Sequence, residues 1–334
     1  VVLGIGLAAG LSLLPYAAPL GAAMRDWDPV VAYPTSLRQI GRVLWATLGP
    51  GSAGWVWSLA PVFALVAAWR LAVRSRMAAA VAADDLWRFS CLTILFAPVA
   101  QVMFLEALSY TPRAWYFLPL LTLTAAAVES LAAGWRHETA ARPARLLLAV
   151  ILAAVLLPAA LPELYLRMTN VDLAAARLSA AAAADDLVVV MPWYFGVSFN
   201  RYVGGPASWL TLPDIPDHRM HRYDLLKTRL AAAHPIADVL DDMHRTLAAG
   251  HQVWLLGELR FPRPGHPAPV LAPAPTPQNG WHDFLYSRSW SLQVGAYVRD
   301  HARSVRLIPI PAPDRISPLE DMSLIVASGW RDGP

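Results

Sequence analysis

The sequence predicts a membrane α-helical region of about five transmembrane helices followed by a small extracytoplasmic α/β domain. Three observations predict it. Of 334 residues, 56% are hydrophobic and only 15% charged, which is more apolar than an ordinary globular chain. The apolar excess is uneven: Ala, Leu, Val and Trp dominate residues 1–165, whereas 166–334 carry most of the His, Asp and Pro. In that second half, strand-like and helix-like runs alternate. The expected division is therefore a transmembrane region at 1–165, reading as the C-terminal part of a larger membrane domain, and an α/β domain at 166–334.

A helix needs about 20 mostly apolar residues to cross a bilayer. Runs near 1–21, 55–73, 87–109, 114–133 and 146–164 meet that length, and lipid requires each to be helical. Pro61, Pro98 and Pro119 fall inside them and are expected to kink them. The chain opens on Val1 inside an apolar run, with neither the basic start nor the small-residue cleavage site of a signal peptide, as a truncated or processed sequence would.

Arginines orient the spans. Arg70, Arg74, Arg76 and Arg88 separate the second from the third, and Arg136, Arg142 and Arg145 the fourth from the fifth. The positive-inside rule makes both loops cytoplasmic, although Arg25, Arg38 and Arg42 in the 22–54 loop weigh the other way. Residues 22–54, the turn at 109–113 and everything after about 165 then lie outside, in a multi-pass protein of a bacterial inner membrane.

In the first outer loop, Ser36 is placed to cap a helix with Leu37, Ile40, Val43, Leu44 and Leu48 at helical spacing, suited to lying on the membrane. Asp26 and Asp28 flank Trp27. Such a pair can hold a divalent cation, since hard cations take oxygen ligands, or it is a solvated turn.

The outer turn "SYTPRAWYF" has two readings. Tyr110, Trp115 and Tyr116 form an interfacial aromatic belt with Arg113 snorkelling to headgroups. Alternatively Arg113, with Tyr110 and Tyr116 beside it, holds a lipid-linked phosphate, for which the planar guanidinium supplies paired hydrogen bonds. Glu106, a turn earlier, faces protein or water, as a ligand contact or as a structural group. Gln101 is placed for an interhelical hydrogen bond, and Glu129 is a solvated helix end.

Within 166–334, helices are expected at 174–186, 234–250 and 287–302, and strands at 187–192, 251–259, 305–311 and 321–330. Their alternation favours a largely parallel sheet, with 260–280 an extended Pro-rich loop. The stretch 191–214 leaves the first strand and is dense in aromatics. Loops at the carboxyl ends of parallel strands bind ligands, so Trp193, Tyr194, Asn200, Arg201 and Tyr202 are ligand-contact candidates; otherwise the rings simply pack the domain.

Several chemistries find no support. Cys91 is the only cysteine, so there is neither an intrachain disulfide nor a cysteine metal site. Lys227 is the only lysine, and the net charge of +3 comes with no basic run that would follow a nucleic-acid backbone. No phosphate-cradling glycine loop and no Gly-x-Ser-x-Gly elbow is present. His218 and His221, with Asp217 and Asp224 near them, lack a third convergent zinc ligand in sequence, so a solvated loop is the default.

The run "RAWYFLPLL" from Arg113 to Leu121, a further apolar run and an α/β tail with "VVVMPWYFGVSFNRY", "HRYDLLK" and "QVWLLG" resemble bacterial membrane glycosyltransferases of family 39. That superfamily includes protein O-mannosyltransferases and the lipid A aminoarabinose transferase. The resemblance implies transfer of a sugar, with inversion, from a polyprenyl-phosphate carrier to a glycan, lipid or protein acceptor. It also implies a carboxylate base in the family's first outer loop, a region this chain does not show, so no catalytic residue is assigned and the chain alone is expected to be inactive. The competing reading is a non-catalytic envelope protein whose membrane part carries a glycan- or partner-binding domain. A transporter fits less well, for want of an inverted repeat and buried charges.

Overall fold

The computed structural model describes residues 7–8, 11–12, 14–27, 30, 35–49, 52–74, 85–108, 112–133 and 141–332. The chain divides into two compact units, one formed by Val1–Val31 with Tyr165–Pro334 and the other by Ala32–Leu164. Helix α1 covers Ala17–Asp26 after a 3-10 turn at Leu14–Tyr16, and the described residues 7–8 and 11–12 ahead of it are also helical.

The unit Ala32–Leu164 is helical. It contains α2 (Leu37–Thr47), α3 (Ser52–Arg74), α4 (Asp85–Leu108), α5 (Leu118–Ala133) and α6 (Ala141–Leu164). Ser36 caps α2, its Oγ accepting from the Gln39 N–H at 3.2 Å. The apolar stripe of α2 is used inside the unit: Ile40 is buried with Leu105, Phe117 and Leu120, and Val43 and Leu44 pack beside them. A second cluster joins α3, α4 and α5 through Ala64, Ile94, Ala127 and Leu131. Gln101 Nε2 donates to the Tyr116 carbonyl at 2.9 Å, tying α4 to the segment that leads into α5.

Among the described residues, two helical segments are long and apolar enough to cross a membrane, Leu86–Ala107 and Ala114–Leu131. Most of their surface is not covered by the chain: Phe89, Phe96 and Met103 are each more than 60% exposed. The expectation of about five transmembrane helices is therefore corrected to a mixed α/β fold in which two described helices have that character. The other runs differ by segment. In α3 the apolar stretch among the described residues is Trp57–Val66, about half the length a bilayer needs, and the side chains at 56 and 67–68 on either side of it lie outside the described residues. The run at 1–21 is broken by the 3-10 turn before α1, and residues 1–6, 9–10 and 13 lie outside the described residues. The run at 146–164 sits in α6, a 24-residue helix with Pro158 and Pro162 inside it; the side chains at 148, 152, 155, 156 and 159 lie outside the described residues, and it is not one of the two.

The other unit is built on a five-stranded sheet in the order β2-β1-β3-β5-β4. Its elements are α7 (Val171–Ala181), β1 (Leu187–Met191), α8 (Phe195–Phe199), β2 (Ser208–Thr211), α9 (Tyr223–Ala231), α10 (Ala237–Ala248), β3 (Gln252–Gly257), α11 (Asp283–His301), β4 (Ala302–Ile308) and β5 (Ser323–Trp330). β1 pairs in parallel with β2 and β3, whereas β5 runs antiparallel to both β3 and β4. The sheet is thus mixed, which corrects the expectation of a largely parallel one. The link from β4 to β5 contains no helix, and a strand returning without a crossover helix pairs antiparallel.

Alternation assigns the two faces. Val188, Val190, Trp254, Leu256, Leu324 and Val326 pack against Val171, Ala174, Ala175 and Leu178 of α7 and Phe195 and Phe199 of α8. Buried Val239, Met243 and Leu247 of α10 lie against β1, β3 and β5. Because β1 is covered on both sides, it reads as an unbroken apolar run.

Asn170 secures the start of this unit. It is 2% exposed; its Nδ2 donates to the Met322 carbonyl and its Oδ1 accepts from the Met322 N–H, both at 2.9 Å. Asn170→Leu strands a buried donor and a buried acceptor, so a loss of about 3 kcal/mol is expected. Thermal unfolding checks this, and an unchanged midpoint would refute the assigned role.

Candidate functional site

Two places gather the residues singled out from sequence, one in each unit.

In the helical unit, Arg113 stands in extended conformation (φ −118°, ψ 159°) at the head of a 3-10 turn, Ala114–Phe117. Its carbonyl accepts from the Tyr116 N–H at 3.0 Å, which fixes the two residues relative to each other. The Arg113 side chain is exposed, Trp115 is 57% exposed, and Tyr116 is half-buried against the Ile40 cluster. Phe117, fully buried, holds the turn down. A groove of about 390 Å³ runs beside it, lined by Gln39, Arg42, Val43, Ala46 and Thr47 of α2 and by Ala114. Arg42 is exposed on α2. Glu106 is exposed in the last turn of α4. Tyr110 and Asp28 lie outside the described residues, and Asp26 is the last residue of α1.

In the α/β unit, the loops after β1, β2 and β3 emerge together at the carboxyl edge of the parallel strands. The strand order reverses between β1 and β3, a position where open α/β sheets bind ligands. The two strand ends approach closely there. The Met191 carbonyl accepts from the Glu258 N–H at 2.9 Å, and Gly257 adopts φ +110°. A Cβ at Gly257 would lie 1.8 Å from that carbonyl oxygen, so only glycine allows the approach.

Tyr194 sits at this junction. Burial pushes its phenol well above the ordinary range, with Glu258, Asp283 and Glu320 adding to the shift and Arg260 opposing it. At neutral pH the phenol is therefore protonated and can donate a hydrogen bond. Glu258 accepts from Arg260 Nη2 at 2.7 Å, and Glu320 from Ser198 Oγ at 3.4 Å. Glu258, Arg260, Asp283 and Glu320 were not singled out from sequence. Glu258 lies at the end of the expected strand 251–259 and Arg260 directly follows it, where the same carboxyl-edge rule pointed.

The remaining aromatics divide by exposure. Trp193 is 2% exposed and meets Tyr194, His221 and Tyr223 edge-on at centroid distances of 6.2, 5.8 and 5.2 Å. It serves the packing of the loop. Asn200, Arg201 and Tyr202 are exposed together just after α8.

The two histidines serve the same aromatic wall. His218 lies against Trp209 at 4.3 Å, and its imidazole is pushed down by burial, with Asp217 opposing. Gly196 makes room, since a Cβ there would fall 2.9 Å from His218 Nδ1. The neighbouring carboxylates are engaged by arginine: Asp217 with Arg219 and Arg222 at 3.0 and 2.7 Å, and Asp224 with Arg222 at 2.6 Å. Hydrogen bonds from Arg219, then from Arg222, hold the Asp217 carboxyl well below the usual carboxylate range. Among the described residues, no three His, Cys, Asp or Glu side chains gather as a metal-binding group.

Neither family models, nor curated proteins, nor solved structures give any match to this chain.

Proposed function

We propose that the chain serves a membrane glycosyltransferase reaction, in which Arg113 binds the phosphate of a polyprenyl-phosphate sugar donor at the extracytoplasmic face of a bacterial inner membrane. One observation carries the reading: an exposed arginine heads the 3-10 turn that opens the second membrane-length segment, beside a groove with polar and apolar walls. A bilayer would cover the apolar sides of α4 and α5 and leave Arg113 at the level of phosphate groups. Its guanidinium would stabilise the departing lipid phosphate as negative charge develops.

Transfer from a polyprenyl-phosphate sugar by the full-length protein is the test. Arg113→Ala is expected to lower turnover by about a hundredfold and Arg113→Lys to restore part of it, because lysine keeps the charge but loses the paired geometry. Unchanged transfer in Arg113→Ala would sink the proposal.

A second reading, a glycan- or partner-binding domain carried by a membrane part, draws on the exposed Asn200, Arg201 and Tyr202, with Tyr202 51% exposed. Saccharide binding that Tyr202→Ala abolishes, in a protein without transferase activity, would favour it.

A further inference from the structure

The Pro-rich segment after β3 has no regular structure, yet it is fastened to α11 along its length. The Arg260 N–H donates to Ser291 Oγ at 3.0 Å. The Pro269 carbonyl accepts from Ser289 Oγ at 2.6 Å and from Gln293 Nε2 at 3.1 Å, and the Ala272 carbonyl accepts from the Tyr286 hydroxyl at 3.0 Å. Gly295 permits the crossing, because a Cβ there would lie 2.1 Å from the Arg260 carbonyl oxygen. Pro262, Pro264, Pro267 and Pro269 restrict the backbone further.

Between this fixed loop and α11 lies a cavity of about 500 Å³, within the size range of small-molecule sites. Arg260, Arg263 and His266 from the loop and Arg288 from the helix line it, and none of its lining residues is a carboxylate. Arg260 is engaged by Glu258 at 2.7 Å. Among the described residues, neither Arg263 nor Arg288 makes an ion pair. Phe261 and Leu292 supply apolar wall beside the charges. Arg263 and Arg288 thus line one cavity with no carboxylate in its lining, an arrangement that a bridging anion would satisfy.

We infer that this cavity binds an organic phosphate, with Arg263 and Arg288 gripping the phosphate oxygens and Phe261 and Leu292 facing the organic part. Arginine suits the task because its fork matches phosphate oxygens in pairs. The site is separate from the Arg113 turn and does not depend on the glycosyltransferase reading. A soluble phosphosugar and a phospholipid headgroup present the same chemistry.

Calorimetric titration of the full chain in detergent with inorganic pyrophosphate tests the site. Saturable binding is expected, weakening as salt rises. Arg263→Gln/Arg288→Gln should weaken it by about tenfold or more, while Arg177→Gln, an exposed arginine on α7, should leave it unchanged. These are exposed substitutions, and an unaltered circular dichroism spectrum confirms that the fold is kept. Displacement of pyrophosphate by glucose 1-phosphate identifies a soluble ligand, and displacement by short-chain phosphatidylglycerol a lipid headgroup. Absence of saturable binding, equal binding in the double variant, or displacement by neither competitor would overturn the inference.

Discussion

Gly257→Ala is expected to destabilise the α/β unit by about 4 kcal/mol or more, among the largest effects a single methyl can have. Two causes add. The φ of +110° is one that L side chains rarely adopt. The new Cβ would also lie 1.8 Å from the Met191 carbonyl oxygen, which belongs to the backbone of an inner strand and cannot swing aside as a side chain would. Relief requires β1 and β3 to separate at their carboxyl ends. That breaks the Glu258 N–H bond to Met191 and strains the 2.6 Å bond from Ser323 Oγ to the Gly257 carbonyl. Gly250→Ala is the control: its φ is +87°, but nothing lies within 4 Å of the added Cβ, so only the backbone cost of about 1 kcal/mol applies. Thermal unfolding followed in the near-ultraviolet reads both. Equal shifts for the two variants would show that the close approach of the strands is not what Gly257 protects.

Asp186→Ala is expected to cost about 3 kcal/mol. Asp186 is 4% exposed at the opposite edge of the sheet. Its carboxylate accepts from the Gln252 N–H at 2.8 Å, the Ala183 N–H at 2.9 Å and Trp254 Nε1 at 3.1 Å. One side chain thereby fixes the end of the α7–β1 link, the start of β3 and an inward-facing indole. Alanine leaves three donors without an acceptor in a site closed to water. Asp186→Asn keeps one oxygen and turns an N–H₂ toward a donor, so an intermediate loss is expected. Thermal midpoints ordered wild type, Asn, Ala support the clasp; an Asn variant as stable as wild type would mean that a single acceptor suffices.

The sequence made the strands of the α/β unit legible because each is a short apolar run bounded by turn residues. β1, β3, β4 and β5 all lie within two or three residues of expectation. β2 was not expected. It has four residues, only Thr211 of which is buried, and it lies inside a stretch whose aromatics suggested a ligand loop. Pairing direction was harder to read, since hydrophobic pattern marks a strand and not its neighbours. The missing crossover helix between β4 and β5 held that information. In the helical unit, composition marked where apolar runs occur, and two of those runs are membrane-length helices among the described residues where about five were expected. Of the site residues, the Arg113 turn was legible because an arginine between apolar runs is conspicuous. The setting of Tyr194 was not, because Glu258, Asp283 and Glu320 come from three distant parts of the chain. Likewise Trp193 carries no sign in sequence that its ring is enclosed.

The mixed order of the sheet also sets a timetable for folding. β4 and β5 are adjacent in sequence, so their pairing closes a short loop at small entropic cost. The parallel β1–β3 ladder must instead wait for β2, α9 and α10 to be threaded between its partners. Such distant pairings form slowly. The β4–β5 hairpin is therefore an early element whose free edge, on β5, is the template that β3 must find. Until it does, Leu324 and Val326 stand uncovered, and that interval is when the unit is most open to pairing with another chain.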